Sequence, residues 1–241
     1  MKNGARYILA AVVVFVIATV AISIGVVGAR RSQSPAGDNA SPGQVKAALR
    51  RGGIREAAKL KKHYVDTFDP NWDWVQLDTE GLTKNSLAVV TGIPMSSSTQ
   101  LSKDGQLVTT SYTVAVQEVI KGNVNPASSI NVSLPGGIIE FGDGTSAEIK
   151  TPGFDKMENG RTYLLFLSED TPNSGLLILT AGPQGLFEIP MDRKTVKAHG
   201  RETDPATKES KNLNADTFLN NVRQQAAKWP KPGHCCGPDQ Q

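Results

Sequence analysis

The sequence predicts a mainly β domain, a sandwich or closed barrel, set behind a membrane-spanning helix and a basic juxtamembrane helix and followed by a C-terminal helix. Three observations carry this. An uncharged apolar run extends from Tyr7 to Ala29. A cluster of basic residues follows it. From Ser86 onward, short β-rich runs alternate with turn residues and no helical period intervenes.

Lys2 and Arg6 precede the apolar run, and Arg30 and Arg31 end it. Roughly 20 apolar residues suffice to cross a bilayer as a helix, whereas a signal-peptide core is nearer 7–15. Length therefore favours a permanent span over 7–29. Val27 and Ala29 would also serve a cleavage site, so a cleaved signal is the alternative, and a buried soluble helix is the bland one. The basic residues near the two ends balance, so charge alone does not orient the span.

The net charge of +3 over 241 residues hides an asymmetry. Arg30, Arg31, Lys46, Arg50, Arg51, Arg55, Lys59, Lys61 and Lys62 face only Asp38 and Glu56 in the same stretch, and beyond Asp66 the chain is mildly acidic. The positive charge belongs beside the membrane and is no general nucleic-acid surface.

Residues 32–43 are rich in Ser, Pro, Gly, Asn and Ala and read as a flexible linker. An amphipathic basic helix and connector are expected over 44–76. Ser41 caps it, Pro42 takes the first position and Gln44 completes a capping box. Gly52-Gly53 should break it, and Ile54, Ala57, Ala58, Tyr64, Val65 and Phe68 continue it at helical spacing. Arg50, Arg51, Arg55, Lys59 and Lys62 are candidates for contact with anionic lipid, each basic residue near such a surface contributing about 1 kcal/mol. The plainer alternative is a solvated helix whose apolar side packs on the β domain. Trp72 and Trp74 are candidates for stacking on a sugar or peptide, or else cover the end of a core.

Strands are expected at Ser86–Ile93, Val108–Ile120, Ile130–Leu134, Ile138–Phe141, Ser146–Ile149, Thr162–Leu167, Leu176–Thr180 and Leu186–Ile189. In the second of these, Tyr112, Val114, Val116 and Glu118 share one face. Gly142-Asp143-Gly144-Thr145 is a hairpin turn, with only a faint likeness to a calcium loop. Residues 191–213 form a polar linker, Asn214 caps a helix over 214–229, and 230–241 are a Pro- and Gly-rich tail expected to be loose.

The runs Leu-Ala-Val-Val-Thr-Gly-Ile-Pro, Tyr-Thr-Val-Ala-Val-Gln-Glu-Val-Ile-Lys-Gly, Ile-Asn-Val-Ser-Leu-Pro-Gly-Gly and Glu-Asn-Gly-Arg-Thr-Tyr-Leu-Leu-Phe-Leu resemble the netrin-like, OB-type closed barrel. That barrel is shared by tissue inhibitors of metalloproteinases and by many bacterial secreted or anchored proteins. The resemblance covers 77–190. It implies an OB-like barrel outside the cytoplasm. The inhibitors chelate a target's zinc through an N-terminal cysteine held by disulfides. Here the barrel has no cysteine and its N-terminal edge continues into a helix, so no functional residue carries over.

Catalytic chemistry finds few candidates. The histidines are His63, in the basic helix, His199, in the polar linker, and His234, in the tail, and none falls on a predicted strand beside a serine-bearing turn. Nucleophile elbow, zinc-protease and phosphate-loop motifs are missing. The only cysteines, Cys235 and Cys236, are adjacent, a poor spacing for a closed metal site. An inert tail is the plain reading; transient metal or redox contact, lipidation and cross-linking are the others. Asn131-Val132-Ser133 matches a glycosylation acceptor but sits in a predicted strand. No metal or cofactor is expected. The sequence thus leads to a non-enzymatic, membrane-anchored interaction module for a protein or envelope polymer. Its alternatives are an accessory protein whose basic helix contacts lipid, and an unrecognised hydrolase.

Overall fold

The computed structural model describes residues 40–69, 76–154, 156–170 and 175–229. In chain order the elements are α1 (Pro42–Lys61), β1 (His63–Thr67), α2 (Thr79–Asn85), β2 (Ala88–Leu101), β3 (Val108–Lys121), β4 (Ser129–Pro135), β5 (Gly137–Glu140), β6 (Ser146–Lys150) and β7 (Thr162–Glu169). There follow β8 (Leu177–Leu179), a 3-10 turn (Gly182–Gly185), β9 (Leu186–Ile189), β10 (Lys197–Ala198), α3 (Pro205–Ser210) and α4 (Ala215–Lys228). The expected mainly β character is present. The run 7–29, Trp72, Trp74, Cys235 and Cys236 lie outside the described residues. Among those described, no helix is long and apolar enough to cross a membrane.

Among the described residues, ten strands form two sheets. The larger has the order β10-β9-β7-β2-β3-β4-β8, and an added β7–β8 pairing closes it into a ring over part of its length. Within the ring β2, β3 and β4 are successively antiparallel. β8 lies parallel to β4 and antiparallel to β7. The smaller sheet has the order β1-β6-β5.

β2 and β7 are apolar on both faces because each face meets a different core. Ala88, Val90, Tyr163, Leu165 and Leu167 point into the ring with Tyr112, Val114, Val116, Val132, Leu134 and Leu179. Val89, Leu164, Phe166 and Phe187 point outward onto α2, α3 and α4, against Leu82, Ala206, Phe218, Leu219 and Val222. Fully burying such side chains contributes about 1.5–3 kcal/mol each. This explains why Thr162 to Leu167 reads as an almost unbroken apolar run.

β3 ends in Val119-Ile120-Lys121, and Lys121 is buried (4% exposed). Its Nζ donates to the carbonyls of Thr83 (2.6 Å), Lys84 (3.0 Å) and Ser86 (2.8 Å). These carbonyls lie at the C-terminal end of α2, where helix oxygens lack partners within the helix and the dipole favours a cation. Gly122 follows at φ +95°, where an added Cβ would lie 2.5 Å from the Leu87 carbonyl oxygen. The lysine and glycine that ended the sequence motif therefore join α2 to the ring. α4 is held to β3 by a fork in which Arg223 Nε and Nη2 donate to the two Glu118 oxygens at 2.8 Å each. Those bonds hold the Glu118 carboxyl below its ordinary range, against a smaller opposing effect of burial.

α1 begins as its sequence directs, with the Ser41–Gln44 capping box formed and Pro42 in the first turn. The helix kinks at Gly52-Gly53. Gly53 has φ +71°, and a Cβ there would lie 2.1 Å from the Gly105 carbonyl oxygen. The β2–β3 turn approaches this close, and the Ile54 N–H donates to that oxygen at 2.8 Å.

Three readings need correction. The basic helix does not run on to Phe68: it stops at Lys61, Lys62 takes φ +58°, and His63–Thr67 is a strand parallel to β6. Tyr64 fits helical spacing, yet here it is the one buried residue of a strand, packed on Ile54, Ala57 and Ala58. The hairpin β5–β6 leaves the barrel series and joins β1 instead. The polar linker 191–213 contains β10 and α3, with Val196, His199, Asp204 and Ala206 buried.

Replacing Lys121 by Met should lower unfolding stability by about 2–4 kcal/mol, because three carbonyls at the end of α2 lose a charged donor. Urea denaturation would show a lower midpoint at unchanged slope. An unchanged midpoint would show that solvent can serve those carbonyls equally well.

Candidate binding cleft and basic face

A cleft of about 630 Å³ is lined from both sheets. The ring contributes Ser97 and Thr99 from β2, Thr110 and Tyr112 from β3, and Leu134 and Pro135 from β4. The small sheet contributes Thr67 from β1, Gly137 and Ile138 from β5, and Glu148, Ile149 and Lys150 from β6, while the loop after β6 adds Thr151, Phe154 and Lys156. The two faces of the small sheet explain this placement. Tyr64, Ile139, Ala147 and Ile149 belong to the core it shares with α1. The intervening residues Val65, Ile138 and Glu148, cross-strand neighbours in register, point the other way.

Gly136 and Gly137 form the bend between β4 and β5, at φ +91° and +131°. A Cβ on Gly137 would lie 2.2 Å from Thr110 Oγ1. That hydroxyl donates to the Gly136 carbonyl (2.7 Å) and sits 3.1 Å from Thr99 Oγ1. Tyr112, 3% exposed, has its hydroxyl pushed above the ordinary tyrosine range by burial, opposed by the Met157 N–H that it accepts. Thr151 is 6% exposed, and among the described residues its Oγ1 has no hydrogen-bond partner. An unsatisfied buried oxygen costs about 1–3 kcal/mol.

Glu148 also reaches a second group of side chains. His63 Nδ1 lies 2.8 Å from Ser146 Oγ, and His63 Nε2 lies 3.8 Å from Glu148 Oε2. Lys150 Nζ is 3.8 Å from the other carboxylate oxygen. Sequence reading missed this meeting because it placed His63 in a helix; on β1 the residue is the register partner of Ser146. The serine and imidazole are within hydrogen-bond reach, and the carboxylate is beyond it. The Ser146 N–H is already donated to the Lys62 carbonyl. Among the described residues no group of three or more His, Cys, Asp or Glu side chains could hold a metal ion. Asp143 accepts from the Thr145 hydroxyl (2.6 Å) and N–H (3.1 Å), the work of a hairpin turn. Those bonds, the hydroxyl's first, hold its carboxyl below the usual range.

Of the residues singled out in the sequence, Arg50, Arg51, Arg55, Lys59 and Lys62 are all exposed. The same helix buries Ala48, Ile54, Ala57 and Ala58. Arg55 stands 5.5 Å from the Phe141 ring centroid, and Lys59 pairs with Glu56 at 2.5 Å. The cleft's hydroxyl residues went unnoticed because Ser and Thr in strands look ordinary. Only the Pro135-Gly136-Gly137 bend hinted at a backbone approach there.

No known protein family matches the sequence, and no curated protein matches it either.

Thr151→Val removes the unpartnered oxygen at nearly constant shape. It should leave stability unchanged or raise it by about 1 kcal/mol in thermal or urea unfolding. A clear loss of stability would mean that the hydroxyl has a partner.

Proposed function

We propose that this chain is a membrane-anchored interaction module, built on an OB-type, netrin-like barrel outside the cytoplasm, that binds a protein or cell-envelope polymer without chemistry of its own. The barrel reading draws support from the pairing order. Numbered from β2, the ring runs first, second, third, fifth, fourth and back to first, with a parallel contact between third and fifth. This is the strand order of five-stranded OB barrels. The apolar run at 7–29 supports the anchor, and the resemblance of 77–190 supports the compartment.

The observation that carries the binding role is the cleft. It is concave, and it sets Thr67, Ser97 and Thr99 beside the apolar surfaces of Ile138 and Phe154. Concave sites that mix apolar walls with a few placed polar groups are the usual form of a binding surface. A polymer that offers hydrogen-bonding groups along an apolar backbone suits such a lining. The 3.8 Å gap between His63 and Glu148 leaves the Ser146–His63 pair without a hydrogen-bonded third group to orient the imidazole.

The test uses the full chain in intact cells, with a photoreactive residue at Ser97 or Lys156, both exposed in the cleft, or at Asn220 on α4. The same adduct from both cleft positions, and none from Asn220, is expected. Adducts of equal yield at all three positions, or none from the cleft, would overturn the assignment.

A further inference from the structure

We propose that α1 is a peripheral docking surface for anionic lipid, one that binds by charge alone and inserts no side chain into the bilayer. The two faces of the helix are divided between different tasks. Ala48, Ile54, Ala57 and Ala58 are buried, and the last three pack against Tyr64, Val108, Ala147 and Ile149. An interfacial amphipathic helix buries its apolar face in the headgroup region. Here that face is committed to the protein's own core and cannot also enter lipid. Exposed on the helix are Lys46, Arg50, Arg51, Arg55 and Lys59, with Lys62 just past its end, and Glu56 is the one acidic residue within α1.

The kink fixes this surface in place. The backbone bond from Ile54 to Gly105 and the side-chain bond from Gln106 Nε2 to the Leu49 carbonyl (3.2 Å) tie both halves of the helix to the β2–β3 turn. The charges are therefore held on a supported helix, which lowers the ordering cost of presenting them together. Lipid is the partner chosen because of position in the chain. About a dozen residues separate Ala29 from Ser41, a reach of at most about 40 Å. A bilayer holding the apolar run would then lie within that reach of the start of α1, and the basic residues supply the charge complementarity that an anionic surface needs. The inference rests on that anchored reading, and the experiment separates the two.

The full chain, with Cys235 and Cys236 changed to Ser and a fluorophore at Ala47→Cys, is mixed with vesicles of phosphatidylcholine alone or with 30% phosphatidylglycerol. Flotation reports the anchor. Quenching by nitroxide lipids reports α1, with the nitroxide at the headgroup or in mid-chain. The expected result is flotation on both vesicle types. Headgroup quenching should appear only with phosphatidylglycerol at low salt, disappear in about 0.5 M salt as charges are screened, and have no mid-chain counterpart. Each basic residue near the surface contributes about five-fold in partitioning. Arg50→Gln with Arg51→Gln should therefore weaken the docked state roughly twenty-five-fold, whereas Lys208→Gln with Lys211→Gln should leave it unchanged.

Mid-chain quenching, or headgroup quenching indifferent to lipid charge and salt, overturns the inference while the anchor stands. If the chain fails to float on phosphatidylcholine, the anchor reading fails. The inference then stands only if flotation on phosphatidylglycerol vesicles is salt-sensitive and lost in the Arg50/Arg51 variant; absent flotation there overturns it.

Discussion

The larger sheet depends on three residues. Leu177, Ile178 and Leu179 form the shortest strand of the ring, and among the described residues they are the strand that connects β4 to β7. Without that link β4 would present an open edge of unpaired donors and acceptors, the usual template for unwanted pairing. With it, Leu177 and Leu179 turn inward onto the ring core and Ile178 faces outward. A parallel contact on one side and an antiparallel one on the other let so short a strand complete a curve that begins in the long β2–β3 ribbon. Register shifts in that ribbon between Val89 and Val90, Thr91 and Gly92, and Pro94 and Ser96 add the twist that such a curve needs.

What surrounds the ring follows from its two-faced strands. The outward apolar residues of β2, β7 and β9 require cover, and α2, α3 and α4 supply it. Lys121 and the Glu118–Arg223 fork then set where that cover sits. The small sheet has its own cover, α1. Its remaining face and the ring's hydroxyl-bearing positions are left to line the cleft together. One arrangement of layers thus gives the protein a concave cleft and, separately, an exposed basic helix face.

Much of this was legible in the sequence. Alternation gave β3 and its inward residues Tyr112, Val114 and Val116, the unbroken run gave β7, and capping residues gave the starts of α1 and α4. The failures have a common physical cause. Tyr64, Val65 and Phe68 satisfy helical spacing, and only the distant β6 makes their segment a strand. Nothing in Gly137–Lys150 says that its hairpin will pair with β1 and not with the ring. Asp204 and His199 look solvated until α3 and β9 enclose them. The short helix α2 is stabilised from outside by a lysine that lies far along the chain, and no local pattern announces it. The cleft was hidden for the same reason, since its lining comes from segments between Thr67 and Lys156 that only pairing brings together.

The large sheet closes through β8, and closure can be measured at Ile178 because it is the register partner of both Ser133 on β4 and Ser168 on β7. Paired cysteines would be introduced into the full chain with Cys235 and Cys236 changed to Ser, and disulfide formation measured under mild oxidation. The Ser133–Ile178 and Ser168–Ile178 pairs should both cross-link, since neighbouring strands hold Cα atoms at about 5 Å. The Ser133–Ser168 pair, two strand spacings apart, should not. An open sheet would be revealed if only one of the Ile178 pairs forms, and a collapsed one if Ser133 joins Ser168.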